Sequence, residues 1–286
     1  MRKTRKGEIG RRKRWVTVLV AALLSLVTLF GVFQLGCVYA ENTWEYWQPD
    51  YAQEDIEELV KKEELSTEEY ELLYRQTGLT KIALDDMRFT PEGRARILRI
   101  QESFFAKYPI KSRLFSLFTY MDETEGRATL STLKDGDIIV SASTRVSWWR
   151  YGHAALVVDG EAETVAEAIA PGTKSKISRA STFNNMANFI ILRPKVDERV
   201  KEEIADYVST KLMGIPYMLT TGILTKKYQE KLTVSQCAHF VWYAYKKFGI
   251  DLDSTGGRVV KPQDILHSNQ VEVVQVYGFD LDKLWS

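Results

Sequence analysis

The feature that most constrains the fold is a series of short apolar segments that begins after Gly126. The segment KDGDIIVSAS predicts a strand that follows an Asp-Gly turn, and GHAALVVDG, ETVAEAIAPG and NFIILRP predict three more strands. The turns between strands have hairpin length, and helical patterns follow in the chain. Strands that precede helices, with short turns between the strands, predict an α+β fold with an antiparallel sheet.

Two helices and a late strand complete this part of the chain. VDERVKEEIADYVSTKLMG has the spacing of an amphipathic helix that ends at Gly214, and SQCAHFVWYAYKKFG, residues 235–249, predicts a second helix. QVEVVQVYGF predicts the late strand. We expect Ser235 to be the N-cap of the second helix, which makes Cys237 its second helical residue. The residues expected to pack this helix against the sheet form one stripe: Ala238, Val241, Tyr245 and Phe248.

Residues 41–125 have a different character, because they are rich in charge and in helix-forming residues. Apolar residues recur there at helical spacing, which predicts several short helices. Ser66 and Glu69 have the spacing of a capping box, and Gly78 is suited to end that helix. Nothing in this helical region suggests chemistry. A lid, a spacer from the membrane and a partner surface all remain open as its role.

The first 40 residues form a leader. MRKTRKGEIGRRKRW is strongly basic, and the apolar run at 16–33 follows it, which predicts a signal peptide or a single membrane anchor. Cleavage after Ala40 and an uncut anchor both fit the pattern. Attachment of a lipid to Cys37 is a third option, which Gln34 disfavours because such a site prefers Leu at that position. In each case the basic cluster stays inside and the later residues are exported.

Charge and cysteine usage narrow the classes of function. The leader's eight Lys and Arg and one Glu give it a charge of +7, and because the whole chain carries +1, residues 41–286 carry −6. This balance excludes a nucleic-acid surface. Apart from Cys37, the chain has one cysteine, Cys237, and its histidines are scattered, so the sequence predicts neither a metal site nor a cofactor.

Cys237 is a candidate nucleophile. Without a second exported thiol it has no internal disulfide partner, and an unpaired cysteine in an exported chain is a candidate reactive group. It stands at the first turn of its predicted helix, where free backbone N–H groups and the positive helix end stabilise a thiolate. The alternative is a small buried apolar residue. The position favours the nucleophile, because a structural cysteine gains nothing from a helix start.

A nucleophilic thiol needs a base, and the chain has three histidines. His239 lies two residues along the helix from Cys237, roughly 200° around it, so it points away and is expected to pack or face solvent. His267 lies in a predicted loop and has no clear role. His153 begins a predicted strand directly after Gly152, and a strand-end histidine beside a glycine is well placed to meet a helix start. His153 is therefore the predicted base.

Glu167 is the predicted orienting group for that base. If the hairpin after His153 turns through a loop at 159–161, then Val158 pairs with Ala162 and His153 lies opposite Glu167, on the same face of the sheet. A loop of even length would place Ala166 or Ala168 opposite instead. If Glu167 does not act, Asp264 and Asn185 are the next candidates.

Taken together, these segments resemble the circularly permuted papain-like amidases of the NlpC superfamily (the YiiX-type branch). The resemblance rests on YGHAALVVDG, ETVAEAIAPG, MGIPY, SQCAHFVWYAYKKFGIDL and KPQDILHS, in that order, and it covers about residues 130–275. It implies a permuted papain-like fold, with the antiparallel sheet packed on the cysteine helix, as a catalytic domain at 126–286. It further implies a Cys237–His153–Glu167 triad and a substrate-binding role for Tyr217. Ala238 and His239 depart from the Ser-Glu that this branch commonly has after the cysteine.

The function expected from these features is cysteine-dependent hydrolysis of an amide bond outside the membrane, in a cell-wall peptide or an N-acyl amide. Trp148, Trp149 and Tyr151 precede the predicted base, and they either line a substrate groove or wedge their loop against the helical region. Two alternatives stay open: a lipid-directed acyltransferase or esterase of the same fold, and a non-catalytic surface module that binds a peptide or partner. The expected partners are the substrate and, if the leader is uncut, the membrane through residues 16–33.

Overall fold

The computed structural model describes residues 2–42, 46–114 and 119–284, in two compact units. The first unit, residues 1–44, contains helix α1 (Arg2–Asn42). Its stretch Lys13–Ala40 has 28 residues, and an 18-residue window within it has a mean hydropathy of 2.6, enough by length and composition to cross a membrane. At a rise of 1.5 Å per residue it spans about 42 Å, more than the ~30 Å of a hydrocarbon core. The predicted apolar helix is present, and it is compatible with a signal anchor or a membrane span.

The second unit, residues 45–286, begins with helices. The hydroxyl of Ser66 accepts the backbone N–H of Glu69, and the Glu69 carboxylate accepts that of Ser66, so the predicted capping box is confirmed. Gly78 ends the same helix at a φ of 70°, a left-handed conformation that suits glycine. The helices of this region are Leu59–Lys61 (3-10), α2 (Thr67–Thr77), α3 (Lys81–Met87) and α4 (Pro91–Phe105).

The described residues of the second unit then form ten strands, three further α-helices and a second 3-10 helix. The strands are β1 (Ile110–Leu114), β2 (Thr119–Thr124), β3 (Ile138–Ser141), β4 (Thr144–Val146), β5 (Trp149–Arg150), β6 (His153–Asp159), β7 (Thr164–Glu167), β8 (Lys176–Arg179), β9 (Phe189–Pro194) and β10 (Val271–Tyr277). The helices are Ala180–Asn185 (3-10), α5 (Glu198–Lys211), α6 (Cys237–Lys246) and α7 (Pro262–Leu266).

The strands form two antiparallel sheets. The larger has the order β10-β9-β3-β6-β7-β8, and the smaller has the order β1-β2-β4-β5. The predicted α+β class with an antiparallel sheet is therefore confirmed. Strands β1 and β2 lie in the stretch predicted to be helical, and β2 pairs with β4 beyond Gly126. The residues before and after position 126 therefore belong to the same compact unit.

Both faces of the larger sheet are covered, which explains the continuous apolar sequence of β6. Ala154 and Leu156 point into a core cluster with α5 and α6, whereas Ala155 and Val157 point into a second cluster with α2, α3 and α4. Successive side chains of a strand face opposite sides, so a strand with two covered faces needs apolar residues at every position.

The N-terminal helices are consequently part of the core of the second unit. The Arg193 guanidinium on β9 donates to Asp86 of α3 at 2.5 Å and to Asp137 beside β3 at 2.8 Å. Burial favours neutral forms, and it raises the pKa of the Asp137 carboxyl above its ordinary value despite the contact with Arg193. This ion-pair network connects α3 to the larger sheet. The helices α2, α3 and α4 therefore contribute to the stability of the second unit.

Helix α6 begins one residue later than predicted. Its N-cap is Gln236, whose side chain accepts the backbone N–H of Ala238, and Cys237 is the first helical residue rather than the second. The predicted cap, Ser235, instead places its hydroxyl 2.8 Å from Nδ1 of His239. The whole of 237–245 is buried, so this helix is enclosed on all sides instead of presenting a single apolar stripe.

Candidate active site

Cys237 lies at the start of α6, and its side chain is 1% exposed. Its thiol donates to Oε1 of Gln236 at 3.4 Å, and Sγ also lies 3.9 Å from the carbonyl oxygen of Gly152. The Gln236 amide has a fixed orientation, because Oε1 accepts from the backbone of Ala238 and Nε2 donates to the Val260 carbonyl at 2.5 Å. At the first helical position the Cys237 backbone N–H needs no intrahelical acceptor, so it is free to bind a developing negative charge.

His153 and Glu167 form a buried pair at the end of the larger sheet. Nε2 of His153 lies 2.7 Å from Oε2 of Glu167, and the two residues are 2% and 4% exposed. Because Glu167 occupies Nε2, the imidazole nitrogen left for Cys237 is Nδ1. The ring of His153 also stacks on Phe183, with centroids 5.8 Å apart and planes at 17°. This arrangement fixes the orientation of the imidazole on two sides.

The register that brings this pair together differs from the prediction. Leu156 pairs with Ala166, and continuing the same register by one residue places Glu167 opposite Ala155 instead of His153. The direct pairing of His153 with Glu167 is therefore wrong, although both residues do share one face of the sheet and meet as diagonal neighbours.

The hairpin loop explains the difference. Asp159 pairs with Thr164, so the loop has the four residues 160–163 rather than the predicted three. A loop of even length would by itself place Glu167 on the opposite side of the sheet from His153. A β-bulge at Val158 adds one residue to β6, and this returns Glu167 to the same side as His153. Gly160 is required here, because a Cβ at that position would lie 2.6 Å from the carbonyl oxygen of Leu133.

The charges around His153 favour its protonated form. Burial lowers the pKa of the imidazole, but the interactions with Cys237 and Glu167 outweigh burial and raise that pKa to about 10. For Glu167, burial raises the pKa of the carboxyl, and the hydrogen bond and charge of His153 outweigh it, so the net direction is downward. The imidazolium thus contacts a carboxylate that is stable as an anion, and it also interacts with Cys237.

Two tyrosines complete the surroundings of the thiol. Burial, and after it the charge of Cys237, raises the pKa of the Tyr217 hydroxyl; burial likewise raises that of Tyr151. Both hydroxyls therefore keep their protons at neutral pH and remain hydrogen-bond donors. The Tyr217 hydroxyl is buried near that of Tyr151, and it forms no hydrogen bond of ordinary geometry with any described residue. It is a donor available for a ligand.

A cleft of about 270 Å³, including its open mouth, adjoins the thiol at Gln236. Trp149 and Tyr151, predicted to bind substrate, both line it, and their rings lie 5.9 Å apart. Trp149 is 50% exposed, and Trp148, which does not line the cleft, is 77% exposed. The cleft is lined by Trp149, Tyr151, Leu219, Gln236, Val259, Val260, Lys261 and Pro262.

The remaining candidates lie outside the site. His239 is buried, with Nδ1 at 2.8 Å from the Ser235 hydroxyl and Nε2 at 2.6 Å from the Lys227 carbonyl, which agrees with the predicted packing role. His267 is exposed at the end of α7. The Asp264 carboxylate accepts the backbone N–H of Lys261 at 2.8 Å, and Asn185 ends the 3-10 helix that follows β8.

Two residues of the site were not foreseen. Gln236 precedes the cysteine, and a polar residue beside a helix start is a signal that could have identified it as the cap. Phe183 has no such signal, because the stacking on His153 depends on the 3-10 helix Ala180–Asn185 meeting β6 across the second core cluster.

The chemistry open to this arrangement follows from its own side chains. It contains a thiol, a charged imidazole, a buried carboxylate and neutral phenols, which suit nucleophilic acyl chemistry. Within residues 2–42, 46–114 and 119–284, no group of three or more His, Cys, Asp and Glu side chains could hold a metal ion. Comparison with known proteins gives no relative: no protein-family model, no curated protein and no solved structure matches the chain.

Proposed function

We propose that this protein is a cysteine hydrolase that cleaves an amide bond, with Cys237 as nucleophile, His153 as acid and base, and Glu167 as the positioning residue. One observation carries the proposal: a buried imidazole bound by a carboxylate at 2.7 Å interacts with the thiol at a helix start. Each of these features favours a thiolate–imidazolium pair. The resemblance to permuted papain-like amidases is consistent with the same assignment.

The proposed thiolate–imidazolium pair differs from the neutral thiol–imidazole pair by the transfer of one proton. In the neutral state the Cys237 thiol donates to Oε1 of Gln236, a group locked as an acceptor. Transfer of that proton to Nδ1 of His153 replaces a weak S–H hydrogen bond with an ion pair. The imidazolium is stabilised on its other side by Glu167, which makes the transfer favourable.

Acylation then follows from the geometry. The thiolate attacks the amide carbonyl carbon, a C–S bond forms, and the oxygen becomes an oxyanion. The Cys237 backbone N–H and the unpartnered Tyr217 hydroxyl are the two donors that can bind this oxygen. Nδ1 of His153 gives its proton to the nitrogen as the C–N bond breaks, and the amine leaves. A thioester remains on Cys237.

Deacylation uses the same imidazole as a base. In the thioester the sulfur no longer carries a negative charge, so one of the two interactions that raise the pKa of His153 is lost. The imidazole can then take a proton from water, and the resulting hydroxide attacks the thioester carbon. The C–S bond breaks, the acid product leaves, and the proton returns to the Cys237–His153 pair.

We place this chemistry outside the membrane. The basic residues that precede the span would keep the N-terminus inside, so the second unit would be exported, whether the span is cleaved or retained. Protease added to intact cells should then degrade the second unit. Full protection of that unit in intact cells, with digestion only after lysis, would contradict this placement.

Reactivity of the thiol tests the proposal. The rate of Cys237 alkylation by iodoacetamide should be measured against pH for the unaltered protein and for His153→Ala, by peptide mass spectrometry that separates Cys237 from Cys37. We expect fast alkylation at pH 6 that His153→Ala slows strongly, because loss of the cation removes the thiolate's partner. His267→Ala, which alters an exposed histidine, is the matched control. Superimposable pH curves for all three proteins would rule out the triad.

The product then defines the reaction. Muropeptides and N-acyl amino acids can be incubated with the protein, and the products read by mass spectrometry. Release of an amine that depends on Cys237 supports hydrolysis. The apolar helix Lys13–Ala40 favours a second candidate, an acyltransferase acting on lipid amides or esters, and that reaction would form an acylated acceptor instead of a free acid.

A further inference from the structure

The cleft beside Cys237 has a specific chemical character. Its walls are mostly apolar, with Trp149, Leu219 and Val259 among the residues that line it. The amide of Gln236 is largely committed, because Oε1 accepts from Ala238 and Cys237 and Nε2 donates one of its two hydrogens to the Val260 carbonyl. A group that enters this cleft therefore meets hydrocarbon and aromatic surface on most sides.

Lys261 is the exception in this cleft. It is exposed, and its ammonium forms no ion pair within the part of the chain that the structure describes. The nearest acid in sequence, Asp264, directs a carboxylate oxygen to the backbone N–H of Lys261 and helps to start α7. The cleft thus presents an unneutralised positive charge at the edge of an apolar surface.

We propose that this cleft binds an apolar side group of the substrate that ends in a carboxylate, with Trp149 contacting the hydrocarbon and Lys261 the anion. The volume of about 270 Å³ is below the usual range for a whole ligand and suits one side group. One lysine matches the single negative charge of a carboxylate, whereas a phosphate monoester carries about −1.5 to −2. The proposal rests on the proposed function, because the cleft selects groups next to the bond that Cys237 attacks.

A matched set of thiol reagents tests this selection without knowledge of the substrate. The reagents are iodoacetamide, N-benzyl iodoacetamide, and benzyl derivatives with a para carboxylate or a para carboxamide. In each the Cys237 thiolate forms a bond to the CH2 carbon and iodide leaves, so only the side group differs. The second-order rate of labelling at Cys237 is measured on the full chain in detergent, separately from Cys37.

We expect the carboxylate reagent to label about 2- to 5-fold faster than the carboxamide, the range for an exposed ion pair. Lys261→Met should reduce this ratio to about 1, and Lys261→Arg should retain it. Lys211→Met, which alters another exposed lysine, should leave it unchanged. Trp149→Ala should reduce the preference for benzyl over unsubstituted iodoacetamide by about 10-fold, the effect of losing one apolar contact.

The outcomes separate this proposal from the one on which it rests. Equal rates for carboxylate and carboxamide, or a ratio that Lys261→Met does not change, would overturn the carboxylate subsite. The rate with unsubstituted iodoacetamide and its dependence on His153 report the thiol alone. A His153-independent rate would contradict the triad even if the reagents show selectivity.

Discussion

His153 and His239 are both buried near the start of α6, yet their imidazoles are held in opposite charge states. His153 contacts the Glu167 carboxylate and the Cys237 thiol, and its pKa is raised to about 10. His239 lies between the Ser235 hydroxyl and the Lys227 carbonyl, and burial lowers its pKa to about 4. The ordinary pKa of 6.5 lies between the two values.

The contrast shows what keeps a buried imidazole charged. Burial disfavours the imidazolium at both positions, so burial alone gives a neutral ring. The Lys227 carbonyl can only accept, so Nε2 of His239 carries the proton and Nδ1 is free to accept from Ser235. That ring is satisfied as a neutral group. Of these two histidines, His153 alone interacts with a carboxylate and a thiol, as the proposed proton transfer requires.

The largest effect should come from removing the proposed nucleophile or the proposed base. Cys237→Ser and His153→Ala should each abolish hydrolysis of the substrate found by product analysis, because a hydroxyl is far harder to ionise than a thiol and a thiol without a base is seldom a thiolate. Product release is measured by mass spectrometry at matched protein concentration. His239→Ala should retain hydrolysis, and if it is as inactive as His153→Ala the contrast between the two histidines is lost.

Glu167→Gln should lower turnover by about 10- to 1000-fold while the domain stays folded. A neutral amide keeps the shape of the side chain but no longer stabilises the imidazolium, so the pKa of His153 should fall toward its ordinary value. The alkylation profile of Cys237 would show this fall as weaker reactivity on the acid side. Unchanged turnover and an unchanged profile would remove Glu167 from the mechanism.

Part of this site was predictable from sequence because its signals are local. The apolar segments that became β3, β6, β7, β9 and β10 identified the antiparallel sheet, and they placed His153 at a strand start and Glu167 in the next strand. By contrast, the polar segment of β8 (KISR) gave no strand signal, because this edge strand is largely exposed and carries no alternating pattern.

The predictions of the hairpin loop and of the helix N-cap were wrong because both features depend on contacts between residues that are distant in sequence. The loop at 160–163 takes its length from Gly160 packing on Leu133 and from the Asp135 carboxylate that accepts its N–H at 2.7 Å. Gln236 became the cap of α6 because Val260 holds its amide, 24 residues along the chain. Ser235 has the better intrinsic preference for that position, but its hydroxyl is used by His239. The local sequence pattern does not show which of these hydrogen-bond partners each side chain takes in the folded protein.

His239→Ala should destabilise the fold more than it affects turnover. The change removes a fully buried ring and leaves the Lys227 carbonyl without its donor, so we expect a loss of about 3 to 5 kcal/mol in the free energy of unfolding. Urea denaturation followed by circular dichroism measures it. His267→Ala, at an exposed position, should change the free energy of unfolding by less than about 0.5 kcal/mol. Equal stability of the two variants would show that His239 has no structural role.

The smallest effect should be a loss of stability in mild acid that originates at His239. Its pKa in the folded protein is about 4, below the ordinary 6.5, so between these pH values the unfolded chain binds a proton that the folded one does not. Stability from this group is therefore complete above pH 6.5 and falls by about 3 kcal/mol as the pH decreases to 4. His153 adds little slope below pH 6.5, because there it is protonated in the unfolded chain as well as in the folded protein, and its contribution is lost instead as the pH rises from 6.5 through about 10. The measurement is the free energy of unfolding from pH 7 to pH 4 for the unaltered protein and for His239→Asn. The difference between the two curves isolates His239 from the carboxylates that also titrate near pH 4. Parallel curves would mean that His239 titrates normally, and the contrast with His153 would then reflect only one perturbed histidine.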